Sequence, residues 1–116
     1  MIIKNNSLEK ERKPSPFNGI GEITVRSLLN GPDALYHKGR VFAHTTVHPG
    51  AAIGYHVHTG ESETYYILKG TACYNDNGTM VTLGPGDVAH TPPGEGHGIS
   101  ASGDEPVEMI ALILYS

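Results

Sequence analysis

Turn-forming residues recur every few positions along this chain and leave only short stretches between them. Fifteen glycines and eight prolines are spread over 116 residues. No stretch between them carries a long helical period, whereas several alternate β-branched or aromatic residues with polar ones. EITVRSLL (22–29) alternates enough to form a strand, and Asn30-Gly31-Pro32-Asp33 breaks it. VFAHTTVH (41–48) is rich in β-branched residues and stops at Pro49-Gly50. YHVH (55–58) and ETYYILKG (63–70) follow. TACYNDNGTMVTL (71–83) gives the strongest hairpin signal, because Asn77-Gly78 supplies the positive φ that a tight turn needs. Pro85-Gly86-Asp87 then turns into VAHTPP, Gly94-Glu95-Gly96 into HGISA, and Ser102-Gly103-Asp104-Glu105 into VEMIALILY (107–115). About eight or nine short strands joined in this way predict an all-β sandwich or barrel in one domain.

Charge and composition exclude several roles. Eight Lys and Arg against twelve Asp and Glu give a net charge of −4, with no basic stripe to neutralise phosphates, so no nucleic-acid partner is expected. No apolar run approaches the roughly 18 residues of a membrane helix, so no membrane partner is expected either. The opening MIIKNNSLEKERKPSP lacks the apolar core and cleavage site of a signal peptide, and the single cysteine, Cys73, has no partner for an internal disulfide. Both points favour a cytoplasmic location. Cys73, between Ala72 and Tyr74, is expected to be a small buried residue rather than a nucleophile. Residues 1–16 carry mixed charge with Pro14 and Pro16 and read as an irregular arm; 1–20 is set apart as the arm, and 21–116 as the folded unit.

The stretch GYHVHTGESE (54–63) carries the chemistry. Side chains alternate faces in a strand, so His56 and His58 project to one side. Two imidazoles on one face are a natural bite for a divalent ion, although such pairs also occur on ordinary solvated sheets. Thr59-Gly60-Glu61-Ser62 can turn the chain so that Glu63 starts the next strand beside the histidines. His97, after the Pro92-Pro93-Gly94 corner, can point into the same interior if the sheet closes. Three imidazoles and one carboxylate, with no thiolate, suit Zn, Mn, Fe, Co or Ni rather than Cu(I).

These residues resemble the motifs of the cupin family. The first family motif, G-x5-H-x-H-x(3,4)-E-x6-G, is matched by Gly50, His56, His58, Glu63 and Gly70. The second, G-x5-P-x-G-x2-H-x3-N, is matched by Gly86, Pro92, Gly94 and His97, with Ala101 in place of the final Asn. The resemblance implies a double-stranded β-helix, or RmlC-like jelly-roll barrel, with one divalent transition metal held by His56, His58, Glu63 and His97. It also implies a homodimer in which N-terminal strands reach across, a use that fits the 1–20 arm.

Other residues are candidates for work near such a metal. Glu61 is the rival carboxylate, read as a rim residue or gate if Glu63 is the ligand. His44, His90 and Tyr65 are candidate catalytic groups together with Glu61, and His37 and His48 read as ordinary surface or strand histidines. Tyr65 and Ile67 share the face of Glu63 and should line the interior. Arg26 and Arg40 could clamp a carboxylate if they face inward, although a solvated position is the plainer expectation. Met80, Met109, Ile110, Leu112 and Leu114 read as core. Two functions fit: a small metal-dependent enzyme acting on a chelating acid or sugar derivative (isomerase, decarboxylase, lyase or dioxygenase), or a non-catalytic module binding a small molecule or sugar. A closed structural metal site is a third, plainer possibility.

Overall fold

The computed structural model describes all 116 residues. Its strands are β1 (Lys10–Pro14), β2 (Glu22–Leu29), β3 (Gly39–Val47), β4 (Ala52–Val57), β5 (Glu61–Lys69), β6 (Ala72–Asp76), β7 (Thr79–Leu83), β8 (Val88–Thr91), β9 (Gly96–Ala101) and β10 (Val107–Tyr115). They form two antiparallel sheets, one of six strands in the order β1-β2-β3-β10-β5-β8 and one of four in the order β4-β9-β6-β7. The all-β jelly-roll expectation holds. At 30–33, where turn residues end β2, a single helical turn α1 (Gly31–Ala34) intervenes, and no helix is long and apolar enough to cross a membrane.

Local chemistry explains most of these elements. Asn77 and Gly78 adopt φ of 48° and 102°, as the tight β6–β7 turn requires, and the Gly78 amide donates to Asn75 Oδ1 at 2.7 Å. The strand that composition does not reveal is β1. Its five residues are all exposed, so no apolar alternation marks it, and it exists by pairing Lys10–Pro14 with Arg26–Glu22 of β2. Part of the stretch read as irregular is therefore an edge strand.

The core lies between the sheets. Val47, Ile67, Val107 and Met109 are fully buried, alongside Ile23, Ile53, Tyr65, Tyr74 and Ile99. Burying such a side chain stabilises the fold by about 1.5–3 kcal/mol each. In β10 the inward set is Val107, Met109, Ala111 and Ile113, so Ile110 and Leu112 lie half-buried on the outer face and Leu114 is exposed. Met80, on the edge strand β7, is also exposed. These four differ from the core expectation, because a run as apolar as MIALIL does not disclose its parity and an edge strand covers little. Cys73 is likewise half-buried, on the opposite face from its buried neighbours Ala72 and Tyr74.

Two bulges shift the parity where it matters for the site. Between β4 and β9 the partners run Ile53↔Ile99 and His56↔His97, three steps on one strand against two on the other. The extra residue lets Ile53 and His56 both face inward, which strict alternation forbids. Between β3 and β10 the partners run Val41↔Ile113 and Gly39↔Leu114, which leaves Arg40 as the inserted residue.

Candidate metal centre

His56 and His97 face each other across β4 and β9, His58 follows the end of β4, and Glu63 comes from β5 in the facing sheet. One ligand atom from each of the four lies within 4.8 Å of all the others. His58 Nε2 is 3.1 Å from Glu63 Oε1 and 3.0 Å from His97 Nε2, and His97 Nε2 is 3.0 Å from the same carboxylate oxygen. His58, Glu63 and His97 are buried and His56 is half-buried.

The outer nitrogens of the three rings are all occupied. His56 Nδ1–H donates to the Gly54 carbonyl at 2.7 Å, which fixes its proton on that nitrogen. His58 Nδ1 lies 3.0 Å from Glu61 Oε1 and donates to it. His97 Nδ1 is 2.8 Å from the Tyr74 hydroxyl, which in turn is 3.0 Å from Thr91 Oγ1. In the neutral rings, then, three Nε2 lone pairs and a carboxylate converge with no hydrogen among them. Acceptors packed this closely repel unless a cation lies between them. The cluster could hold one metal ion, which would act as a Lewis acid towards a bound oxygen.

The electrostatics agree. Burial alone would push the Glu63 pKa up; with no metal present, hydrogens on Nε2 of His58 and His97 turn both contacts into hydrogen bonds to the carboxylate, which hold it down at about 2. The hydrogen bond to Glu63 raises the pKa of His58 against the effect of burial, so a proton can occupy the space a metal would take. Burial lowers the pKa of His56. Behind His58, Arg40 holds Glu61 through Nε at 2.7 Å and Nη2 at 2.6 Å and keeps its carboxyl pKa below the usual range.

The cavity in front of the cluster has a volume of about 160 Å³ and mostly apolar walls, among them Ile23, Val25, Ile53, Met109 and Ile113. Lys13, Phe17, Arg40 and Tyr65 complete it, and Tyr65 stacks on His97 with ring centroids 5.0 Å apart. Of the candidate catalytic groups, Tyr65 alone meets the cavity directly, and Arg40 is the candidate clamp that does so. Glu61 begins β5 instead of lying in a turn, on the same face as Glu63, and its side chain is only 14% exposed. It is not a solvated rim residue.

His44 and His90 point elsewhere. The inward residues of β3 are Ala43, Thr45 and Val47, so His44 lies on the outer face, 3.2 Å from Glu108. His90 sits outside β8 with Nδ1 2.9 Å from Thr64 Oγ1. Both corrections have one cause: each strand was read one residue out of phase. Arg26 also lies outside, bonded to Asn5, whereas Arg40 turns inward because of its bulge. Sequence reasoning missed Tyr74, Thr91, Lys13 and Phe17. Tyr74 was within reach, since it shares parity with Ala72 on a core strand; nothing local marks the others.

The comparisons agree with this geometry. The cupin domain model matches residues 43–113. A Thermotoga maritima protein named as an oxalate-binding protein is 37% identical over 114 residues, covering 98% of this chain and 93% of its own length. A crystal structure from Thermotoga maritima, described as a predicted oxalate decarboxylase, superposes with a TM-score of 0.95 at 36% identity, covering all of both chains. An RmlC-like cupin from Shewanella frigidimarina shares the fold alone, with a TM-score of 0.77 at 19% identity over 98% of this chain and 89% of that one. Two sheets in jelly-roll order, the histidine and glutamate cluster between them, and these likenesses lead to one conclusion: the chain belongs to the cupin family.

Proposed function

We propose that this cupin binds a small carboxylate anion, oxalate foremost, on one divalent transition metal held by His56, His58, Glu63 and His97. The observation that carries this reading is the convergence of bare acceptor atoms whose outer nitrogens are already engaged. The cavity suits a ligand well below drug size, and Lys13 adds positive charge beside it. Relatives named for oxalate supply the candidate anion. Zn, Mn, Fe, Co and Ni all suit the donor set.

Binding without turnover is favoured because the cavity offers little proton chemistry. Glu61 is held by Arg40, His44 and His90 lie outside, and burial raises the pKa of Tyr65. The alternative is a metal-dependent enzyme of decarboxylase type, favoured by the likeness to the predicted oxalate decarboxylase and by Lys13 as a proton donor.

Calorimetric titration of the protein, loaded in turn with each metal, tests both readings. Saturable oxalate binding that disappears on chelation and in His56→Ala/His58→Ala supports the proposal. No oxalate binding by any loaded form overturns it, and release of carbon dioxide and formate would establish the enzyme instead. We further propose a cytoplasmic homodimer, since Phe42, Ile110 and Leu112 lie half-buried on the outer face of the six-stranded sheet, where a second subunit would cover them. Exchange of the 1–20 arm would keep the β1–β2 register between subunits. Light scattering at the mass of one chain would refute the dimer.

A further inference from the structure

The loop from Ser15 to Gly21 joins β1 to β2 by crossing from the six-stranded sheet onto β4 of the other. It is tied at its base by the Ser15 amide, 2.7 Å from the Gly21 carbonyl, and to β4 by two hydrogen bonds between Ile20 and Ala52 at 3.1 and 2.8 Å. The crossing is close: a Cβ on Gly19 would run into the Ala52 carbonyl, and one on Gly54 into the Phe17 carbonyl. Within the loop Ser15, Phe17 and Asn18 all have left-handed φ, of 45°, 52° and 60°. That conformation is unfavourable for a bulky side chain, so the surroundings must impose it.

What the strained backbone achieves is the position of one ring. Phe17 lies flat on His56, with centroids 3.7 Å apart and planes 10° from parallel. It is 58% exposed, so it does not serve as core. Its ring and Pro16 instead line the cavity together with Met109 and Ile113 of β10.

We propose that Phe17 is a specificity-determining residue whose ring, held by the 15–21 loop, limits the size of the anion that reaches the metal. The inference rests on the metal-binding reading above and not on oxalate being the ligand. It is tested on Co²⁺-loaded protein, following the visible absorption of the ion during titration with acetate, benzoate and oxalate. Wild type should bind acetate at least tenfold more tightly than benzoate. Phe17→Ala should lower that ratio at least tenfold, chiefly by tightening benzoate. Gly19→Ala displaces the loop without removing the ring and should lower the ratio in the same sense; it decides the matter if Phe17→Ala does not hold the ion.

An unchanged ratio in the loaded variants overturns the proposal. A shifted ratio in protein that ignores oxalate upholds the wall while removing oxalate as ligand. Failure of wild type to bind Co²⁺ removes both readings.

Discussion

Arg40 grips both carboxylate oxygens of Glu61, Nε to Oε2 at 2.7 Å and Nη2 to Oε1 at 2.6 Å, and one of those oxygens also accepts from His58. The parallel pair keeps Glu61 ionised and oriented, which in turn keeps the His58 proton on Nδ1 and leaves Nε2 free. Arg40 reaches this position through the bulge in β3, and Glu61 through its parity with Glu63.

Loss of this support should weaken metal binding without unfolding the chain. Glu61→Ala is expected to lower Zn²⁺ affinity on the order of 10–100-fold, and Arg40→Ala on the order of tenfold. Glu61→Gln should be milder, since an amide oxygen still accepts from Nδ1. Competition against a chromophoric chelator measures all three, and wild-type affinity in Glu61→Ala and Arg40→Ala would show that the pair is merely structural.

Metal should also stabilise the fold, because the unfolded chain does not hold the four residues together. At a free ion concentration about 100 times the dissociation constant, the gain is about 2.7 kcal/mol, or on the order of 10 °C in melting temperature. Melting scans with and without a chelator should show this difference in wild type and lose it in His56→Ala/His58→Ala. Elemental analysis of purified wild type should find about one ion per chain.

In the chelated protein, Glu63 should make stability depend on pH. Its folded pKa is held at about 2, below the ordinary 4.5, so in this range the unfolded state binds more protons than the folded one. The contribution is complete above about pH 4.5 and is lost as pH falls towards 2. Comparison of melting temperature between pH 5 and pH 2.5 should show a steeper fall in wild type than in Glu63→Gln. Equal slopes would mean that the hydrogen bonds from His58 and His97 do not favour the ionised form.

His56, His58 and Glu63 were legible as neighbours because their spacings are set by strands and a turn that are themselves local, whereas His97 joins them only when the sheet closes. Asn77-Gly78 announces its turn, and His56, His58 and Glu63 fall within one stretch of eight positions. The face of each strand was less legible. His44 and Thr45 look equally eligible in VFAHTTVH, and only pairing with β2 and β10 turns Thr45 inward. Bulges defeat parity altogether at Arg40 and between Ile53 and His56. Phe17 lay furthest from view, since its contact with His56 depends on a loop crossing from one sheet to the other, held by glycines 35 positions apart in sequence (Gly19 and Gly54).

Tyr74 offers a way to separate the support of a ligand from the packing of the core. With Nε2 of His97 free, its Nδ1–H donates to the Tyr74 hydroxyl, whose own proton passes to Thr91. Tyr74→Phe keeps the buried ring but leaves Nδ1 of His97 and Oγ1 of Thr91 without their partner, both deep in the core. Unpaired groups of this kind cost about 1–3 kcal/mol, so the variant should melt lower with metal absent. It should also bind Zn²⁺ more weakly, because nothing then favours the His97 tautomer with a free Nε2. Thr91→Val removes the far end of the chain only, leaves the Tyr74–His97 bond in place, and should lower stability with a smaller effect on Zn²⁺ affinity. If Tyr74→Phe and Thr91→Val lower affinity equally, relative to their losses of stability, Tyr74 packs the core and does not orient His97.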